Sequence, residues 1–244
     1  MISFIVPAYN EEKLLPKTLA ALHSSGRLVG EDYEIVVADD ASSDGTAGVA
    51  EAQGARVLRV SHRQISATRN SGAWEAKGDL LVFVDADTIV PWQTVAAALG
   101  AIRAGAVGGG AKVAFDGEIP LYGRILLPLV QKLFGVARLA SGCFIFCTRA
   151  GFDSIGGFDE RLFAAEEIAF SRALGRRGRF VILNEVVTTS GRKLRDHSGW
   201  HIVKSMLGLA MRGPGAVRRR EGMDLWYRER TDDQDGASLR DHEL

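Results

Sequence analysis

The segment LLVFVDADTIVP, residues 80–91, ends an apolar run with Asp85 and Asp87, two carboxylates one residue apart. At i and i+2 of an extended chain they point to one side, and like charges held together need a cation or hydrogen-bond donors to be tolerable. Oxygen ligands suit a hard divalent ion such as Mg²⁺ or Mn²⁺. Mg²⁺ takes only one or two protein carboxylates, with phosphate oxygens and water completing its shell, so a metal and a phosphorylated ligand are implied together. The plainer use of Asp-x-Asp is a turn, or the cap of the helix opening near Pro91.

Other polar residues gather at equivalent points. The stretches PAYNEE, from Pro7, and DDASSDGT, from Asp39, each follow a short apolar run. Ser42, Ser43 and Asp44 suffice to cap a helix, so Asp39 and Asp40 exceed what that helix start requires. In open α/β sheets the binding crevice lies beyond the carboxyl ends of the strands. Pro7 to Glu11, Asp39–Asp40 and Asp85–Asp87 would therefore line one rim.

The elements that would hold this rim alternate. Short β-branched or aliphatic runs at 2–6, 34–38, 55–60 and 80–84 read as buried strands, with helical patterns at 13–25, 44–53, 66–77 and 92–104. Further on, strands are expected at 107–115, 143–148, 179–183 and 186–189, an apolar amphipathic stretch at 119–136, and helices at 165–177 and near 198–211. Alternation of this kind predicts an α/β fold, a Rossmann-like sandwich with a mainly parallel central sheet and helices on both faces. One domain over 1–213 is expected, with a first half to about 105 and a second from 106, followed by a charged, mobile tail at 214–244.

Composition narrows the partners. Thirty Lys and Arg balance thirty Asp and Glu across 244 residues, which gives no global attraction to nucleic acid. No apolar run reaches the length of a membrane span, and the N-terminus reads as a strand rather than a leader. Cys143 and Cys147 are too few for a metal knuckle or a disulfide framework, so a reducing cytoplasm is expected. Gly108 to Gly110 lack the spacing of a dinucleotide loop and suit close backbone approach to an acceptor or another strand. The stretch at 119–136 reads as core or interface helix, although its mixture of apolar and basic residues also suits peripheral contact with a membrane surface.

Taken in order, FIVPAYNEE, VVADDASSDGT, ISATRNSGA, LLVFVDADT and GGFDE followed by AEEIAFSRAL resemble the landmarks of family-two glycosyltransferases, over roughly residues 2 to 193. The resemblance implies the GT-A fold and an inverting enzyme that uses a nucleoside diphosphate sugar, Mg²⁺ or Mn²⁺, and a hydroxyl acceptor, often lipid-linked. It further implies that Pro7, Ala8 and Tyr9 hold the nucleoside, with Glu11 near the ribose and Asp39 accepting from the base. Arg69 would face the base or diphosphate, Asp85 the ribose or metal, Ala86 the nucleotide sugar, and Asp87 would be the principal metal ligand. The other reading of Arg69 is a solvated helix face paired with Glu75 or Asp79.

Where the family generally has Glu-Asp, this chain has Glu166-Glu167, which keeps the carboxylate but lengthens it by one methylene. Glu167 would be the base that deprotonates the acceptor, or Glu166 in its stead, or the pair would only favour a helix start through its dipole. Downstream, Arg192 and Lys193 would clamp the diphosphate, the first by paired hydrogen bonds and the second as a point charge. His197 could add a metal ligand. The Gln-x-x-Arg-Trp signature of processive members is absent, which favours a single transfer.

Rivals differ at identifiable residues. A sugar-1-phosphate nucleotidyltransferase needs a glycine-rich loop and a basic residue after the first strand, where PAYNEE stands. A receiver domain needs its acidic pair on the first strand. A nucleotide-sugar-binding protein without catalysis stays open because of Glu167.

Overall fold

The computed structural model describes residues 1–117 and 121–192. Eight strands form one mixed sheet: β1 (Ile2–Ala8), β2 (Tyr33–Asp40), β3 (Arg56–Val60), β4 (Leu80–Val84), β5 (Thr88–Ile89), β6 (Ala106–Phe115), β7 (Phe144–Thr148) and β8 (Arg179–Thr189). Their spatial order is β3-β2-β1-β4-β7-β6-β8-β5. The first four strands pair in parallel, as the alternating pattern predicts. The second half departs from that pattern: β7 runs antiparallel to both β4 and β6, β6 and β8 are parallel, and β5 is antiparallel to β8. The sheet is mixed, with four of its seven pairings parallel, because β7 enters between β4 and β6 with its direction reversed.

Among the described residues seven helices accompany it: α1 (Leu15–Val29), α2 (Thr46–Ala52), α3 (Ile65–Glu75), α4 (Trp92–Arg103), α5 (Leu121–Val136), α6 (Arg149–Ile155) and α7 (Glu166–Gly175). Alternate side chains of the strands feed two cores. Phe4, Val6, Val82, Val84, Phe144 and Phe146 meet Leu15, Leu19 and Leu22 of α1 and Val95 of α4 on one face. Ile5, Leu81, Phe83 and Ile145 meet Ala73 of α3, Phe152 of α6 and Phe170 and Leu174 of α7 on the other. Period-two alternation in doubly buried strands makes each strand read as a continuous apolar run.

Two expected strands at 179–183 and 186–189 form the single strand β8, whose pairing with β6 shifts register between Gly110 and Lys112. The short α6 and β5 had no periodic signal of their own. The glycines at 108–110 serve strand approach: a Cβ on Gly109 would fall 2.2 Å from the Val181 carbonyl oxygen and 2.6 Å from the Phe146 ring. Among the described residues no helix is long and apolar enough to cross a membrane. The expected helix near 198–211 and the tail at 214–244 lie outside the described residues.

Candidate active site

The loops after β1 and β2 are zipped together by short polar side chains. Asn10 donates its backbone N–H to Ser42 Oγ at 3.0 Å and accepts from the Ser43 N–H at 2.8 Å. The Glu11 N–H donates to Thr46 Oγ1 at 2.8 Å, and Glu12 accepts from the Gly45 N–H at 2.7 Å. Asp44 accepts from the Thr46 N–H at 3.0 Å, which starts α2. The register of β1 with β4 stops at Ile5–Phe83 while that with β2 continues to Ala8–Asp39, so Pro7 and Ala8 project past β4 at the rim. The half-buried Tyr9 follows, with the Arg63 guanidinium 3.7 Å above its ring centroid.

The two aspartates after β2 divide their labour. Asp40 accepts from the N–H groups of His62, Arg63 and Gln64 at 2.6, 2.8 and 3.1 Å and from Thr68 Oγ1 at 2.8 Å, fastening the loop into α3. Asp39, 5% exposed, accepts only a 3.3 Å bond from the Ser42 N–H among its resolved contacts. Asp40 is therefore a structural anchor, a task that Asp39 does not share.

Helix α3 carries the side chain that joins three separate segments of the site. Arg69 is buried, donating to Glu166 at 2.8 Å, to Asp85 at 3.0 Å and to the Gly142 carbonyl at 2.9 Å. The solvated pairing with Glu75 or Asp79 does not occur, because Arg69 faces the sheet rather than water. Burial opposes its charge, but Asp85 and then Glu166 outweigh this and hold it above the ordinary arginine value. The α3 segment also grips the GGFDE loop and the residues after it: Asn70 donates to the Phe158 carbonyl at 2.9 Å and to Glu160 at 2.8 Å, and Gln64, just before α3, donates to the Leu162 carbonyl at 3.0 Å. A Cβ at Gly157, with φ of 80°, would meet Asn70 Oδ1 at 2.5 Å. The landmarks ISATRN and GGFDE thus act together to deliver α7.

Strand β4 ends at Val84, and the Thr88 N–H closes a turn on the Asp85 carbonyl at 3.0 Å. This corrects the extended geometry expected for Asp85 and Asp87. The turn sends them to different partners, Asp85 to Arg69 and Asp87 to Thr189 and Arg192, both at 3.2 Å. Thr88 Oγ1 donates to Thr189 Oγ1 at 3.0 Å, so a hydroxyl relay orients Asp87. The pair still shares one neighbourhood: burial first, then the charges of Asp85 and Asp87, push the Cys143 thiol up to about 12. Ala86 is buried, and its carbonyl accepts from Thr18 Oγ1 at 2.8 Å. Arg192 also donates to both oxygens of the buried Glu11 at 3.1 and 3.2 Å. Lys193 and His197 lie outside the described residues.

Glu166 and Glu167 open α7 behind Ala165, whose φ is 58°. Glu166 is spent on Arg69. Glu167 is raised from the carboxylate range to about 8, by burial first and then by the adjacent Glu166 charge. The absent side chain of Gly142 keeps space between them: a Cβ there would lie 3.3 Å from Arg69 Nη2 and 4.0 Å from the Glu167 carboxyl carbon.

As a cation site, Asp85 and Asp87 offer oxygen donors only, with side chains 35% and 18% exposed. Among the described residues no three His, Cys, Asp or Glu side chains cluster for a metal. Two carboxylates, with no third protein ligand among the described residues, fit an ion that keeps water and phosphate oxygens, as Mg²⁺ does.

A mixed α/β sheet thus carries acidic loops beyond its parallel strands, faced by the half-buried carboxylate of Glu167 on a separate helix. Residues 3–154, more than half of the chain, match the model described as glycosyl transferase family 2, and the chain belongs to that family. A curated relative, the undecaprenyl-phosphate 4-deoxy-4-formamido-L-arabinose transferase of Pseudomonas fluorescens, is 31% identical over 158 residues, covering 59% of this chain and 45% of the relative. The chain spans less than half the length of such curated relatives. Among solved structures, a mannosyltransferase from Pyrobaculum calidifontis in complex with GDP-Man and Mn²⁺ aligns at TM-score 0.64 and 17% identity, over 99% of this chain and 81% of that one. Staphylococcus aureus TarS 1–349 in complex with UDP-GlcNAc aligns at 0.59 and 20% identity, over 87% and 66%. At these identities the structures share the fold. Asn10 falls within the Pro7 to Glu11 stretch expected at the rim, whereas Arg63, Thr189 and Gly142 carry no local signal in the sequence.

Proposed function

We propose that the chain transfers one sugar from a nucleoside diphosphate donor to a hydroxyl acceptor by a single displacement that inverts the anomeric carbon. The observation that carries this reading is the separation of tasks at the rim. Carboxylates suited to a cation stand on the loop after β4, and a raised, half-buried carboxylate, Glu167, stands on α7 across the Arg69–Gly142 contact. In this reading Pro7, Ala8, Tyr9, Glu11 and Asp39 receive the nucleoside. Asp87, with Asp85, would hold Mg²⁺ or Mn²⁺, which when bound neutralises charge developing on the leaving phosphate.

Glu167 takes the proton as the acceptor oxygen forms its bond to the anomeric carbon. The bond from that carbon to the diphosphate oxygen breaks with its electron pair on the phosphate. A base near neutrality is well matched to a hydroxyl, which needs help to ionise. Arg69 fixes Glu166 and Asp85 in place, and Lys193 and His197 stand as further candidates for the diphosphate and the metal. A lipid-linked acceptor is favoured by the curated relatives' names, which give undecaprenyl phosphate, and with it goes a setting at the cytoplasmic face of a membrane. The solvent-exposed Leu133 and Val136, on α5 beside Lys132, agree with it.

A thermal-shift screen of nucleoside diphosphates and sugar nucleotides with Mn²⁺ selects the donor, since a ligand of the folded state raises the midpoint. NMR of the product then tests the mechanism. An α-linked donor must give a β-linked product, and retention would eliminate single displacement.

A further inference from the structure

The two arginines that face the rim aspartates differ in how firmly they are held. Arg69 is 3% exposed and makes its carboxylate contacts at 2.8 and 3.0 Å. Arg192 is 29% exposed, and one nitrogen, Nη2, serves three oxygens at 3.1 to 3.2 Å: both of Glu11 and Oδ2 of Asp87. Charge-assisted N–H···O⁻ bonds are strongest at about 2.7–2.9 Å. Two N–H bonds divided among three acceptors at longer range make each contact weak and replaceable. Asp87 Oδ1 is meanwhile kept in orientation by Thr189, so exchange at Oδ2 leaves the carboxylate in place.

We propose that Arg192 is an exchangeable counter-cation for Asp87: a divalent cation at Asp87 displaces the guanidinium, and the freed guanidinium serves the donor's diphosphate. This rests on the metal-dependent reading above. Glu11 is the pivot, because it retains the arginine at the rim while Asp87 is handed over. Positive coupling between metal and diphosphate follows, and it is reciprocal by thermodynamic necessity. Arg192 is in this sense a positioning residue that sets the order in which the site fills.

The test is Mn²⁺ binding without nucleotide, read from the free-ion EPR signal, and then with uridine or guanosine diphosphate. In the native chain Mn²⁺ alone should bind weakly, and the responding nucleotide should tighten it by about 5- to 150-fold, the usual range of coupling. Arg192→Met should tighten Mn²⁺ alone several-fold, with the coupling reduced to the part that direct contact of the ion with phosphate oxygens supplies. Arg192→Lys, a single ammonium that keeps the charge, should lie between. Unchanged or weaker Mn²⁺ affinity in Arg192→Met, or coupling as large as in the native chain, overturns the proposal. So does equal tightening in Arg63→Met, which would show only a general loss of positive charge. Asp87→Asn separates the two levels: if it leaves Mn²⁺ binding intact, the metal reading itself fails and this proposal with it. If it abolishes binding while Arg192→Met has no effect, only the counter-cation role fails.

Discussion

Arg69 Nη1 meets Glu166 Oε1 at 2.8 Å across 97 residues of sequence, and both side chains are nearly excluded from water. The contact ties α3 to the start of α7, and the same guanidinium reaches Asp85 at the end of β4. Removing one partner of a buried pair strands the other charge, which costs about 3–5 kcal/mol. Arg69→Met should therefore lower the stability measured by urea unfolding by about that amount. Arg69→Met combined with Glu166→Gln should be more stable than Arg69→Met alone. A single variant that unfolds at the native urea midpoint would remove this network from the account of the fold.

Asp40 belongs to the scaffold, although its sequence position looks as functional as that of Asp39. Four donors converge on its two oxygens. Asp40→Asn turns one oxygen into a donor facing donors, at a cost of about 1–3 kcal/mol for the groups left unsatisfied. Asp39→Asn should leave the unfolding midpoint nearly unchanged and weaken nucleotide binding. Paired urea unfolding and calorimetric titrations check both. Equal stability losses would refute this division.

The glycines of β6 make a third case. A Cβ on Gly109 would stand 2.2 Å from the Val181 carbonyl oxygen, a backbone atom with no rotamer to escape into. Gly109→Ala must push β6 from β8, and overpacking of this kind costs about 1–3 kcal/mol or more. Gly100→Ala, where a Cβ meets nothing within 4 Å, should be neutral or slightly stabilising. Thermal midpoints of the two variants decide it.

Legibility in the sequence followed the range of the interactions. The parallel half could be read because each strand is a short apolar run that ends in polar loop residues, as LLVFV ends in Asp85. The antiparallel entry of β7 could not, since FIFCT looks the same in either direction. At the site, residue types identified the aspartates and glutamates, but not their allegiance. Whether Asp39 or Asp40 is the anchor depends on the loop that returns at His62 to Gln64. Arg69 reads as a polar residue on a weakly amphipathic helix until Glu166 arrives from the far end of the chain. Thr189 gave no signal because its role comes from the pairing of β5 with β8.

Glu167 offers the sharpest test, because burial and the neighbouring Glu166 charge raise it to about 8. As a base it must be ionised, so the transfer rate at saturating donor should rise with pH and level off above about 8. The same shift has a consequence for folding, of opposite sign. Between the ordinary value of 4.5 and about 8 the folded chain holds a proton that the unfolded chain has released. Its contribution to stability is complete below 4.5 and is lost as pH rises through about 8. Glu167→Gln should flatten that part of the stability profile and lower transfer by about 10²–10⁴-fold, the range for lost acid–base assistance, with donor affinity kept. Glu166→Gln should act mainly through Arg69, with its larger effect on the unfolding midpoint. Single-turnover rates and urea midpoints measured from pH 5 to 9 on both variants separate the roles. A near-native transfer rate in Glu167→Gln would mean that the acceptor reaches the site already ionised, and the assignment of Glu167 as base would fall.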